Sequence, residues 1–208
     1  MLRDRDLSAS SRRGFSLVEL LVVIGIFTIV TSLTLSNYNQ FGGHVVLGNL
    51  AYDVALSVRK AQTYGIAVRR YGTDNFNVGY GMHFDSAHPT SYALFADVAE
   101  SNNGVGDGMY DPSTELVETR TFNRGYAIVN LCETHDENDS ERETCGLSSL
   151  DIVFRHPESD AYINPNQSTC TVVRTDGCSV RARVVIQSPK GDQASVIIDQ
   201  SGQIVVQH

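Results

Sequence analysis

Hydrophobic positions follow three regimes along the chain. In 15–35 (FSLVELLVVIGIFTIVTSLTL) apolar residues run without polar relief and Glu19 is the lone charge. A stretch of about 20 such residues carries a helix across a bilayer core. After Glu19 the next acidic residue is Asp53 and the next Lys or Arg is Arg59, so this is not a slice of an ordinary surface helix. Past Gly42-Gly43, Leu47, Leu50, Ala51, Val54, Val58 and Ala61 recur at steps of three and four and share one helical face. Each glycine costs about 1 kcal/mol of helix propensity, so the pair marks a flexible or unwound point. Beyond Tyr71 the period becomes two. The runs 79–84, 92–96, 116–122, 126–130, 150–154, 180–186, 194–198 and 203–206 read as strands of an antiparallel sheet. Asp176-Gly177, Lys190-Gly191-Asp192 and Ser201-Gly202 read as their turns. The pattern predicts an α+β chain: a long N-terminal helix, half membrane-spanning and half amphipathic, packed on an antiparallel β-sheet head. Its expected divisions are a cytoplasmic leader (1–14), the helix (15–70) and an extracytoplasmic head (71–208).

Charge orients the span. In the leader MLRDRDLSASSRRG, four arginines outnumber Asp4 and Asp6, and the positive-inside bias puts this end in the cytoplasm. A secretory signal peptide has a shorter apolar region and a small-x-small cleavage site, whereas SNYNQFGG follows here. A plain signal anchor would have no use for Glu19, because a carboxylate in hydrocarbon is costly and persists where it has a partner or a function.

The segment Arg13-Gly14-Phe15-Ser16-Leu17-Val18-Glu19-Leu20 resembles the processing site of type IV prepilins and type II secretion pseudopilins. The resemblance implies cleavage after Gly14 by a membrane-embedded prepilin peptidase. It makes Phe15 the N-methylated mature N-terminus and Glu19 the fifth mature residue, engaged in assembly. The proline usual near mature position 22 is replaced by Ser36, so no proline kink is expected. The segment NLAYDVALSVRKAQTYGIAVRR is similar to the one following the span in the GspH/FimT-like branch. A β-rich head on a helical stalk is also that family's architecture.

Two features of the head carry candidate chemistry. Cys132, Cys145, Cys170 and Cys178 all lie beyond the span, on the oxidising side, and lack Cys-x-x-Cys spacing. Neighbours are expected to pair, Cys132 with Cys145 and Cys170 with Cys178; a zinc site or four free thiols are the alternatives. The acidic, Gly-rich loop from Asp97 to Glu115 has cation-binding character. Asn103, Asp107 and Asp111 recur at intervals of four and offer hard oxygens for Ca2+, although Val105 and Glu115 break an EF-hand pattern. The opposing expectation is a solvated loop.

Nothing in the sequence argues for an enzyme. His44, His83, His88, His135, His156 and His208 are scattered without HExxH spacing, and GxSxG and P-loop motifs are absent. His83, between Met82 and Phe84, reads as structural. The expected function is a pilin or minor pilin of a type IV pilus or type II secretion pseudopilus. Its partners are the prepilin peptidase, other subunits and, during storage, the inner membrane. Two alternatives stay open. One is a tip minor pilin that binds DNA through Arg174, Arg181 and Arg183, against a net charge of −8 that becomes −10 without residues 1–14. The other is a single-span membrane protein with an extracytoplasmic sensor or carbohydrate-binding head.

Overall fold

The computed structural model describes residues 14–72, 78–99, 106–135, 143–168, 170 and 178–208, the side chains of 36–43 excepted. The chain divides into two units, Met1–Gly42 and Gly43–His208. Helix α1, Leu17–Ile66, contributes to both. It is shorter than the expected 15–70, and its backbone stays helical through Gly42-Gly43, so of the flexible or unwound point expected there the unwound form is not seen.

In the first unit the described side chains of α1 are all exposed, and Leu17–Leu35 is long and apolar enough to cross a membrane, with mean hydropathy 2.3. Its polar groups are answered locally. Thr28, Thr31 and Thr34 donate their hydroxyls to the carbonyls of Ile24, Phe27 and Val30, at 2.7, 2.7 and 3.1 Å. This back-bonding hides a hydroxyl that would be costly to leave unpaired in hydrocarbon.

In the second unit α1 buries the stripe read from the sequence. Leu47 is 2% exposed, and Ala51, Val54, Val58 and Ala61 are fully buried. They share one core with two antiparallel five-stranded sheets, where the sequence led us to expect one. The strands are β1 (Gly79–Asp85), β2 (Ser91–Asp97), β3 (Leu116–Thr121), β4 (Ala127–Thr134), β5 (Glu143–Cys145), β6 (Ser149–Phe154), β7 (Ala161–Pro165), β8 (Arg181–Gln187), β9 (Gln193–Asp199) and β10 (Ile204–Gln207). The first sheet has the order β3-β2-β1-β6-β7 and the second β10-β9-β8-β4-β5. The chain thus leaves the first sheet for β4 and β5, returns for β6 and β7, and leaves again.

Alternation along each strand fixes which face meets the helix. Tyr80, Met82 and Phe84 of β1, Leu94 of β2, and Leu150, Ile152 and Phe154 of β6 point into the core, with Ile128, Val184, Val196 and Ile198 arriving from the second sheet. Gly65 lets α1 approach β6 closely, since a Cβ there would lie 2.3 Å from the Phe154 carbonyl oxygen. Polar ties fix the helix further: Gln62 Nε2 donates to the Ser159 and Gly202 carbonyls at 3.0 and 3.1 Å, and Ser57 meets the Tyr92 hydroxyl at 3.3 Å.

Candidate functional site

The N-terminal candidates lie on the first unit. Gly14 and Phe15 precede α1 and are exposed, and Glu19 sits exposed in its first turn. A carboxylate there is favoured by the positive end of the helix dipole. Residues 1–13 of the expected leader (1–14) lie outside the described residues. Phe15, Leu17, Val18, Leu20 and Leu21 around Glu19 are all more than half exposed, so the segment is an apolar surface with one charge that has no partner among the described residues.

The cysteines form two local crosslinks and none is free. Cys132 and Cys145 are direct register partners on β4 and β5, with Cα atoms 4.0 Å apart. The bridge fastens a three-residue edge strand that would otherwise contribute little pairing. Cys170 and Cys178 join across 5.6 Å between β7 and β8, where the chain changes sheets. The Cys170 N–H donates to Asn164 Oδ1 at 2.6 Å. Among the described residues one group, Cys132, Glu143 and Cys145, brings three ligand-type atoms together, and its sulfurs are committed to the disulfide, which excludes the zinc alternative.

The acidic loop is organised by an internal cation. Arg155 Nη2 donates to Asp97 Oδ2 at 2.6 Å and to the Gly106 carbonyl at 2.8 Å. Asp97 is 1% exposed, and its other oxygen accepts from the Gly108 N–H at 2.9 Å. Asn164 Nδ2 closes the set on the Gly108 carbonyl at 2.8 Å. Glycine is required at 106, because a Cβ there would lie 2.0 Å from Asp97 Oδ1. Asp107 Oδ1 accepts from the Met109 N–H, and Asp111 accepts from Ser113 and Thr114. The bonds from Ser113 and Thr114 hold Asp111 below the usual carboxylate range. Glu115 accepts from the Val98 and Asp111 N–H groups at 2.8 and 2.9 Å. Burial nevertheless pushes it up to about 7, with Asp97 and Asp107 adding to the rise. Both Asp111 oxygens and Asp107 Oδ1 are therefore already turned to the loop's own backbone and hydroxyls, and Asn103 lies outside the described residues.

The loop also covers part of a sheet, a placement that no local pattern in the loop itself announces. Its segment 106–112 lies over the face of the first sheet opposite the core, and Tyr110 packs its ring on His83 and Phe95, with centroids 4.6 and 5.4 Å apart. Beside it opens a cleft of about 580 Å³ lined by residues that include His83, Asp85, His88, Ser91, Tyr110 and Asn166. Two imidazoles there are oriented by carboxylates: His83 Nδ1 lies 2.6 Å from Asp151 Oδ1, and His88 Nδ1 lies 2.7 Å from Asp85 Oδ2. Asp151 is 1% exposed; burial raises it above the usual carboxylate range, against the pull of His83. The available signal was Asp151 inside the apolar run 150–154, since period two sets it on the same face as His83 across the β1–β6 pair.

Of the arginines considered for DNA, Arg181 pairs with Asp199 at 3.3 Å and Arg183 with Glu143. Arg174 lies outside the described residues. The two described members therefore bring no unbalanced positive charge.

Comparison with known proteins turns on the N-terminal segment. Residues 9–35 match the prokaryotic N-terminal methylation motif. Over 177 residues, 85% of this chain and 95% of the relative, the sequence is 26% identical to the pilin-like protein PilA1 of Thermus thermophilus. No solved structure gives a significant match.

Proposed function

We propose that this chain, which carries the type IV prepilin N-terminal methylation motif, is a structural, non-catalytic subunit of a type IV pilus or type II secretion pseudopilus. Before assembly it rests in the inner membrane with its N-terminus in the cytoplasm. A prepilin peptidase cleaves between Gly14 and Phe15, and α1 then carries the subunit into the filament. The observation that supports this most is the motif on a helix whose described residues from Leu17 to Leu35 are all exposed. Such a surface is stable only in lipid or among like helices. The pilin-like relative, matched over most of both chains, adds support.

Glu19 supplies the register. After cleavage the Phe15 amine is four residues away on the same helical face, and the same amine of a neighbouring subunit is the preferred partner. A subunit at the wrong axial position would leave both charges unpaired in apolar surroundings, which is strongly unfavourable. Intact-mass measurement on protein from cells containing a prepilin peptidase tests the first step: a chain still beginning at Met1 would sink it. Glu19→Ala should leave processing intact and impair assembly, and normal filaments from this variant would remove Glu19 from the mechanism. The paired states of Arg181 and Arg183, with the net charge, give the DNA reading no support.

A further inference from the structure

The cleft beside Tyr110 contains none of the residues assigned above to cleavage or assembly, yet it is built with more care than a surface hollow needs. Its volume of about 580 Å³ lies within the roughly 300–1,000 Å³ of small-molecule sites. Both histidines present a set tautomer when neutral. Nδ1–H donates to Asp151 or Asp85, which leaves each Nε2 as an acceptor. Asp85 is held in turn by the Ala87 N–H at 2.8 Å, so the His88 ring rests on an anchored carboxylate. On another wall Asn166 Oδ1 accepts from the Ser148 N–H and hydroxyl at 2.8 and 2.9 Å, leaving its Nδ2 hydrogens uncommitted among the described residues. Asn166 and Gln167 also hold φ values of 50° and 61°, a left-handed pair costly for non-glycine residues.

The lining selects the ligand. It contains no Lys or Arg, and carboxylates stand behind both imidazoles, so an anion is repelled. Those carboxylates are already hydrogen-bonded, so they offer little to a cation. No third His, Cys, Asp or Glu atom joins the two imidazoles within ligand distance among the described residues, so a metal would lack a full set. Ser91, Thr119 and Ser148 bring hydroxyls and Asn166 and Gln167 bring amides, which an apolar ligand would leave unpaired. A sugar fits: its hydroxyls both donate and accept, and its C–H face can lie on the Tyr110 ring and Pro112. We infer that this cleft binds a neutral saccharide, with His83, His88, Ser91, Thr119 and Asn166 taking its hydroxyls and Tyr110 its apolar face.

The test is calorimetric titration of the full-length protein in lauryldimethylamine oxide micelles, a detergent without sugar. The probes are cellotetraose, maltotetraose, a β-1,4-galactotetraose and tetra-N-acetylchitotetraose. One or more should bind saturably, and His88→Ala and Thr119→Val, both at the cleft's solvent side, should each weaken binding about tenfold, as expected for one or two lost hydrogen bonds. Unchanged melting curves for these variants separate lost contacts from lost folding. Absence of saturable heat with all four probes overturns the inference, as does binding that neither variant alters. Saturable zinc chloride binding lost in His88→Ala, without sugar binding, would make the cleft a metal site and overturn it equally. Assembly plays no part in the readout, so a failure here leaves the filament proposal standing, and the reverse.

Discussion

The two ends of α1 share a backbone conformation and differ in where their apolar side chains find company. Leu17 is 78% exposed and Phe27 69%, whereas Val54, Val58 and Ala61 are fully buried. The difference is one of pattern. An all-round apolar helix has no face to offer a single core and needs an apolar surrounding supplied by other molecules. A stripe at steps of three and four leaves a polar back for water and needs only its own head. One helix therefore divides into a segment waiting for partners and a segment already satisfied, and the same substitution should have opposite readouts at the two ends.

The largest contrast is expected from a charge. Val54→Asp buries an uncompensated carboxylate and should cost more than about 4 kcal/mol, enough to unfold most of the head. Ile24→Asp should leave the head's thermal unfolding unchanged while blocking membrane retention. Circular dichroism melts and fractionation check both, and a normal melt for Val54→Asp would break the comparison. Next, Arg155→Met removes the partner of buried Asp97 and should cost about 3–5 kcal/mol. Exchange of the Gly108 amide, which Asp97 holds, should accelerate well beyond that of the β8 amides.

A smaller effect concerns pH. Glu115 holds its proton up to about 7 in the folded head, and near 4.5 when unfolded. The folded state therefore binds more protons between these values, so this group's contribution makes stability fall as pH rises from about 4.5 to about 7 and stay level above. Glu115→Gln should flatten that slope in denaturant titrations at a series of pH values. An unchanged slope would show that the carboxyl ionises freely. The smallest effect is expected from calcium. With Asp107 and Asp111 committed to the loop and Arg155 neutralising Asp97, added calcium should move the head's melting temperature by less than about 2 °C. A larger rise, lost in Asp107→Ala, would favour the cation reading of Asn103, Asp107 and Asp111.

The acidic loop and the missed strands show where pattern stops informing. Eight of the strands follow from short runs that alternate, as in half-buried β9, or cluster apolar residues, as in β6, which is buried throughout. β5 has three residues and exists by pairing with β4 across a disulfide. β7 contains a proline and an asparagine, and its Asn164 is fully buried because it bonds the Gly108 carbonyl and the Cys170 N–H. Neither strand has a local signal strong enough to predict it. The loop's carboxylates looked like an unbalanced cluster because Arg155 lies far along the chain from Asp97.

What the sequence determined by itself is everything governed by near neighbours: the span, the buried stripe of α1, most strands and the local pairing of cysteines. Solvent preference and backbone period act over a few residues and leave their mark in order. Tertiary structure alone decided the division into two sheets, the bond of Arg155 to Asp97, the roof of Tyr110 and the meeting of His83 with Asp151. Each of these joins side chains from distant segments, and the free energy that selects them exists only once the strands between have been placed.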